Sequence, residues 1–227
     1  MHPVCGKPLV QWVAEAARRA KSLDEVVVAT DDERIANALA GMKGVRVAMT
    51  RNDHPSGTDR VAEAAAPQDN DIIINIQGDE PLIDPALIDA LAECLKNDPW
   101  YEMATVAAPI DSPRDLEARS VVKVVCDCNG AALYFSRLPI PCKRDGEPEL
   151  GMYLRHLGIY AYRGVFLKRL VEEPPCALEL AESLEQLRAL WLGAKIAVIQ
   201  TAHTGVGVDT PEDVPVVEAL LRKGGLA

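Results

Sequence analysis

Asp71-Ile72-Ile73-Ile74-Asn75-Ile76-Gln77-Gly78-Asp79-Glu80-Pro81 is an apolar run that stops abruptly in a short polar turn. Ile72 to Ile76 has the length and near-continuous apolar character of a strand buried in a parallel sheet. Gly78 allows the backbone to turn or to approach a ligand closely. Asp79 then stands at the carboxyl end of a strand, where open α/β sheets place their ligands. A carboxylate there suits a hard cation such as Mg²⁺ beside a phosphate. Taken alone, Asp79-Glu80 is described equally well as an ordinary strand end with an acidic turn. A second segment shifts that balance. Gly205-Val206-Gly207-Val208-Asp209-Thr210-Pro211-Glu212-Asp213 has small residues, one aspartate, and then Thr-Pro-Glu-Asp opening a helix. Two strand-end aspartates far apart in sequence imply one metal site assembled by the fold, with Asp79 and Asp209 as its ligands.

Outward from that strand, helical and extended patterns alternate. Helices are expected over Pro8 to Lys21, Glu33 to Gly41, Asp59 to Ala66 and Pro85 to Lys96, and strands over Val26 to Thr30 and Val45 to Met49. This rhythm implies an α/β fold with a mostly parallel sheet and helices on both faces, hence three layers. The middle of the chain is richer in strands: Met103 to Pro109, Val121 to Asp127, Ala131 to Phe135 and Gly158 to Tyr162. Asn129-Gly130 marks a hairpin between two of them. Ile140 to Gly151, rich in Pro, Gly and charge, reads as a loop. Leu178 to Leu192 is expected to be one helix, Lys195 to Gln200 a strand and Pro211 to Arg222 a closing helix. No repeat or low-complexity tract interrupts the pattern.

The chain has 227 residues and a formal charge of −10, which suits one domain with a large core. The bulk field repels nucleic acid and anionic membranes. No apolar run reaches the length of a membrane span, and the N-terminus lacks the order of a signal peptide, so a cytoplasmic protein is expected. The six cysteines form no C-x-x-C pair, and Cys126-Asp127-Cys128 is too tight for zinc. Reduced thiols are the default in that compartment.

Arg51-Asn52-Asp53-His54-Pro55-Ser56-Gly57-Thr58-Asp59-Arg60 is the second informative loop. Ser56-Gly57-Thr58 offers hydroxyls and backbone N–H groups just before a helix N-terminus, a place for a phosphate, ribose or base edge. Arg60 in the first turn opposes the helix dipole, which an anionic ligand would explain. The alternative is a helix capped by Thr58 or Asp59. Arg137 and His156 stand among apolar strand residues. They suit a carboxylate and hydroxyls, or alternatively an interface and a satisfied core histidine. Glu185 and Gln186 lie on an amphipathic helix, where a solvated face is the plainer description.

These blocks, in order, are Arg51 to Arg60, Ile76-Gln77-Gly78-Asp79-Glu80-Pro81, Tyr134-Phe135-Ser136-Arg137, Arg155-His156-Leu157-Gly158-Ile159-Tyr160, Leu184-Glu185-Gln186-Leu187-Arg188, and Gly205 to Asp213. Together they resemble the 3-deoxy-manno-octulosonate (Kdo) cytidylyltransferases, the CMP-Kdo synthetases of lipopolysaccharide biosynthesis, from about Gly6 to the C-terminus. The resemblance implies a fold of the nucleotidyltransferase type, with residues 1–227 as one domain. Residues 103–165 would be its β-rich sugar-binding and dimerisation part. It implies transfer of a cytidylyl group from CTP to Kdo, giving CMP-Kdo and pyrophosphate. Asp79 and Asp209 would hold Mg²⁺. Ser56, Gly57, Thr58 and Arg60 would cradle the nucleotide, with Gln77 near the substrates. Arg137, His156, Tyr160, Glu185 and Gln186 would line the sugar pocket. A homodimer is expected.

The family opens with a strand and a phosphate loop running from Pro-Ala-Arg to Leu-Pro-Gly-Lys-Pro-Leu, whereas this sequence opens at Met1-His2-Pro3-Val4-Cys5-Gly6-Lys7-Pro8-Leu9. The expectation is that Met1 is an internal methionine of a longer protein. The rival is a truncated, non-catalytic remnant, which predicts weak CTP binding. A third reading is a Mg²⁺-dependent glycosyltransferase, which predicts no pyrophosphate release from CTP.

Overall fold

The computed structural model describes residues 3–202, 205, 207–208 and 210–226; Asp209 lies outside the described residues. In chain order the first elements are β1 (Pro3–Val4), β2 (Lys7–Pro8), α1 (Leu9–Ala17), β3 (Val27–Thr30), α2 (Glu33–Ala38), β4 (Arg46–Met49), α3 (Gly57–Ala65), β5 (Ile72–Asn75) and α4 (Pro85–Asn97). There follow β6 (Met103–Pro109), α5 (Pro113–Glu117), β7 (Lys123–Cys126), β8 (Ala132–Ser136), β9 (Leu154–Arg163), α6 (Gly164–Glu172), α7 (Ala177–Glu182), α8 (Gln186–Trp191), β10 (Ile196–Gln200) and α9 (Asp213–Lys223). They divide between two units: Met1–Ala66, Asn75–Ala90 and Gly205–Ala227 in the first, Pro67–Ile74 and Leu91–Thr204 in the second. No described helix is long and apolar enough to cross a membrane.

In the first unit, Cys5 (φ 45°) and Gly6 (φ 76°) turn β1 back onto β2, a two-residue hairpin turn whose twist matches the strands. The Val4 carbonyl accepts from Trp12 Nε1 at 2.8 Å, and the Cys5 N–H donates to Glu218 at 2.7 Å. Val4, Trp12, Val217 and Leu221 form the core that α1 and α9 share. β3 and β4 pair in parallel, as the strand-helix-strand order implies. Asp32 caps α2 and Ser56 caps α3.

The second unit is built on a six-stranded sheet in the order β10-β6-β9-β7-β8, with β5 also pairing β9. β10 runs parallel to β6, whereas β9 and the β7–β8 hairpin run antiparallel to their neighbours. The alternation of helices and strands holds, but the hairpin and the long returning strand make this sheet mixed. An antiparallel bridge from Ala131 to Ala197 brings the start of β8 to β10.

β9 extends well before the expected Gly158, because Arg155 and His156 hide its strand pattern. Its register shifts opposite Thr105/Val106. The helix expected over Leu178 to Leu192 is two helices, since Ser183 (φ 52°) ends α7 in the left-handed conformation. A buried pair joins those helices: Arg188 donates to Glu179 at 2.6 and 2.7 Å, and to the carbonyls of Leu170 and Glu173. The buried cation is thus ringed by acceptors, as burial of a charge demands.

Candidate functional site

In the first unit the structure joins the two acidic motifs. The Val208 N–H donates to the Asp79 carbonyl at 2.9 Å. A Cβ on Gly207 would lie 3.3 Å from Glu80 Oε1 and 3.4 Å from the Asp79 carbonyl oxygen. A residue without a side chain lets this segment lie close against the turn with nothing displaced. The residue preceding Asp209 is thereby hydrogen-bonded to Asp79, although Asp209 itself is outside the described residues. Gln77 and Gly78 are exposed, and a Cβ on Gly78 or Gly57 would meet nothing within 4 Å. Beyond Asp209, Thr210 donates through its N–H and its hydroxyl to Asp213 Oδ2 at 2.8 and 3.0 Å, which fixes the start of α9.

Among the described residues no group of three or more His, Cys, Asp or Glu stands together as a metal site, and all six cysteines are free thiols. Two carboxylates fit Mg²⁺ nonetheless, because that ion keeps several water and phosphate oxygens and needs one or two protein carboxylates.

The loop before α3 is laced to the helix. Arg60 donates to Thr50 Oγ1 at 2.6 Å, to the Arg51 carbonyl at 3.1 Å and to Asp31 Oδ2 at 3.1 Å. Its position against the helix dipole therefore has a partner within the protein. Ser56, rather than Thr58 or Asp59, is the cap, and its Oγ accepts from the Asp59 N–H at 3.3 Å. Thr58 is buried.

The second unit gathers His156, Tyr160, Gln186 and Glu185. The Thr105 hydroxyl donates to the Ile159 carbonyl at 2.7 Å and sits 2.9 Å from His156 Nε2. Its one proton is committed, so Nε2 carries the hydrogen and Nδ1 is the bare acceptor. Burial holds the imidazole down to about 3, so it stays neutral near pH 7. Phe135 and Tyr160 flank the ring at 5.1 and 5.3 Å between centroids. The Tyr160 hydroxyl donates to Gln186 Oε1 at 3.2 Å, and burial raises its pKa well above the usual phenol value. Gln186 is only 4 % exposed and its Nε2 has no partner. An orphaned buried amide is rare, and a ligand hydroxyl would satisfy it.

Arg137 is hydrogen-bonded into the scaffold. It donates to the carbonyls of Glu182 at 2.6 Å, Arg119 at 3.0 Å and Ser183 at 3.1 Å, while its backbone N–H and Ser136 Oγ donate to the Glu182 carboxylate. Arg137 thus closes the end of α7 and fixes the break that positions Glu185 and Gln186. Thr105, which the sequence barely signals, is brought against His156 by the fold. Its only mark there is a hydroxyl inside the otherwise apolar strand Met103–Pro109.

The family model for cytidylyltransferases matches residues 1–196. The 3-deoxy-manno-octulosonate cytidylyltransferase of Bdellovibrio bacteriovorus is 50 % identical over 97 % of this chain and 90 % of its own length. That of Geobacter sulfurreducens is also 50 % identical, with the same coverage. This chain belongs to the 3-deoxy-manno-octulosonate cytidylyltransferase family. A solved CMP:2-keto-3-deoxy-manno-octonic acid synthetase complexed with CTP superposes with a TM-score of 0.90 at 43 % identity, over 98 % of this chain and 91 % of that one. The 4-diphosphocytidyl-2C-methyl-D-erythritol synthase of Anaerococcus prevotii has a TM-score of 0.66 at 14 % identity, which speaks for the shared nucleotidyltransferase fold alone. A family member of this kind is a nucleotidyltransferase by inheritance of the whole chain, not of one motif.

Proposed function

We propose that the chain activates 3-deoxy-manno-octulosonate with CTP, releasing pyrophosphate and forming the CMP-sugar used in lipopolysaccharide biosynthesis. The observation that carries this reading is the bond from Val208 N–H to the Asp79 carbonyl, made in a chain half identical to named cytidylyltransferases. The anomeric hydroxyl of the sugar attacks the α-phosphorus of CTP. One P–O bond forms to the sugar, the bond to the β-phosphate oxygen breaks, and the hydroxyl proton is released. Such chemistry depends on positioning and charge neutralisation.

Asp79 and Asp209 are the residues that would hold Mg²⁺, which when bound neutralises phosphate charge and acidifies a bound hydroxyl. Ser56, Gly57 and Thr58 present the nucleotide with backbone donors, and Gln77 stands exposed beside Asp79. Arg60 orders that loop. In the other unit Gln186 Nε2 donates to a sugar hydroxyl, and the neutral His156 accepts one at Nδ1. Glu185, half-buried at the start of α8, accepts another. Arg137 holds the scaffold behind them.

A homodimer formed through residues 103–165 fits Leu133 and Leu138, 61 and 56 % exposed, on β8 and just past its end. A cytoplasmic setting agrees with the nucleoside triphosphate the reaction consumes. Relatives matched over nine-tenths of their length favour this activity over a glycosyltransferase or an inert remnant. The test is pyrophosphate release with CTP, Kdo and Mg²⁺. Release that needs Kdo and fails with UTP is expected. CTP consumption without Kdo, or none from folded protein, would overturn the reading.

A further inference from the structure

His54 stands out in an exposed loop. Arg51, Asn52, Asp53 and Pro55 are exposed, yet the His54 side chain is only 3 % exposed. Its Nε2 makes a short contact to Glu63 Oε2, and its Nδ1 is buried with no hydrogen-bond partner. Glu63 also accepts from the Arg51 N–H at 3.2 Å and from Arg51 Nε at 3.4 Å. Together these donors hold the Glu63 carboxyl below its ordinary range. An ionised carboxylate only accepts, so the His54 Nε2 must carry the hydrogen it shares with Glu63.

Arg51 is tied twice. Its carbonyl takes Arg60 at 3.1 Å, and its N–H and guanidinium go to Glu63. His54 is therefore the last pin of a lacing that fastens residues 50–54 to one side of α3. The next residues are Pro55 and the Ser56-Gly57-Thr58 segment. A short polar loop gains no order from a hydrophobic core of its own, so it needs such pins to hold its backbone N–H groups in one arrangement.

We propose that His54 is a positioning residue for the nucleotide. Acting through Glu63, it fixes the Ser56-Gly57-Thr58 donors in the conformation that accepts CTP. The inference rests on the nucleotide reading of that segment.

The test compares His54→Ala, His54→Gln and His54→Asn. The glutamine amide places a donor near the Nε2 position, whereas the asparagine amide stops short of it. Kd for CTP is measured by equilibrium dialysis with Mg²⁺, and KM for CTP and for Kdo by pyrophosphate release. The alanine and asparagine variants are expected to raise Kd and KM for CTP about tenfold, equivalent to roughly 1.4 kcal/mol, with KM for Kdo unchanged. The glutamine variant should recover most of that loss, and Glu63→Gln combined with His54→Ala should be no worse than Glu63→Gln alone. A CTP affinity that does not change, or a glutamine variant as poor as alanine, overturns the inference. So does an equal rise in both KM values. If wild-type protein binds CTP but releases no pyrophosphate, the activity reading fails, and the dialysis series still decides the role of His54.

Discussion

Thr105→Val isolates the part of the proposed sugar site that the sequence does not announce. Thr105 has no exposed surface, and its hydroxyl serves Ile159 and His156 together. Valine has nearly the same shape, so the change removes two hydrogen bonds without opening a cavity. Each group left buried without a partner costs about 1–3 kcal/mol. The loss on unfolding should be about 2–4 kcal/mol, a fall in Tm of roughly 5–15 °C for a chain of this size. The functional effect is separate. His156 stays neutral, but nothing then keeps its hydrogen on Nε2, and the Nδ1 acceptor is lost for part of the time. KM for Kdo should rise about five- to tenfold, the value of one ordinary hydrogen bond, while KM for CTP stays within about twofold. Thr105→Ser keeps the hydroxyl and should retain wild-type KM. Steady-state pyrophosphate release and thermal melting read both effects. A valine variant with unchanged KM for Kdo, or a serine variant equally impaired, would refute the tautomer argument.

Asp79→Asn should lower turnover by about 10²–10⁴-fold through loss of a metal ligand, with Tm nearly unchanged. Wild-type turnover in that variant would remove Asp79 from the metal assignment. His156 also shapes the acid limb of stability. Its folded pKa is depressed from 6.5 to about 3 by burial, so the unfolded chain alone takes up that proton as pH falls below 6.5. Its contribution is complete above 6.5 and is lost progressively down to about 3, by up to about 1.4 kcal/mol per pH unit. Urea titrations between about pH 6.5 and 5 should therefore be flatter for His156→Asn than for wild type, and parallel profiles would contradict the burial. At Gly164 a Cβ would lie 2.0 Å from the Gln68 carbonyl oxygen. The clash, about 1–3 kcal/mol or more because backbone must move, should outweigh the roughly 1 kcal/mol that alanine gains in a helix. Gly164→Ala should unfold at lower urea, and equal stability would mean that no such approach exists.

The strand Ile72–Asn75 and the turn after it are legible in the sequence because an apolar run and a glycine carry their own local reasons. So is the pairing of the two acidic motifs, since each has the residues of a strand end and only a fold could bring Gly207 to Asp79. The α6 helix is not legible, although Phe166, Leu167 and Leu170 are all buried on it. Only Gly164 stands where β9 passes into it, and one glycine with no Pro, Asn or Asp beside it does not mark by itself the change from period 2 to period 3.6. The split between α7 and α8 is hidden for a different reason. No Gly or Pro stands at Ser183; the break is held by Arg137, from another element. Propensity sees neighbours in sequence, and that contact joins residues more than forty positions apart.

The arginines show how far a charge can be separated from a contact. In sequence both Arg60 and Arg137 suit an anion, and both have protein partners for their guanidinium groups. The partners differ in kind. Arg60 faces the Asp31 carboxylate, so its charge is largely neutralised where it stands. Arg137 donates to neutral carbonyls, while the nearby Glu182 carboxylate takes the Arg137 backbone N–H and the Ser136 hydroxyl. Its positive charge is offset only in part. A guanidinium held this way keeps its field and costs no reorganisation when an anion arrives. On the proposed reading, with Arg60 paired, the nucleotide would be held by backbone donors at Ser56–Thr58 and by a divalent cation. In a chain of net charge −10, binding a polyanion without that cation would work against the bulk field. On that reading the Asp79 and Asp209 carboxylates, which add to the repulsion when bare, would become an asset only in the presence of the metal.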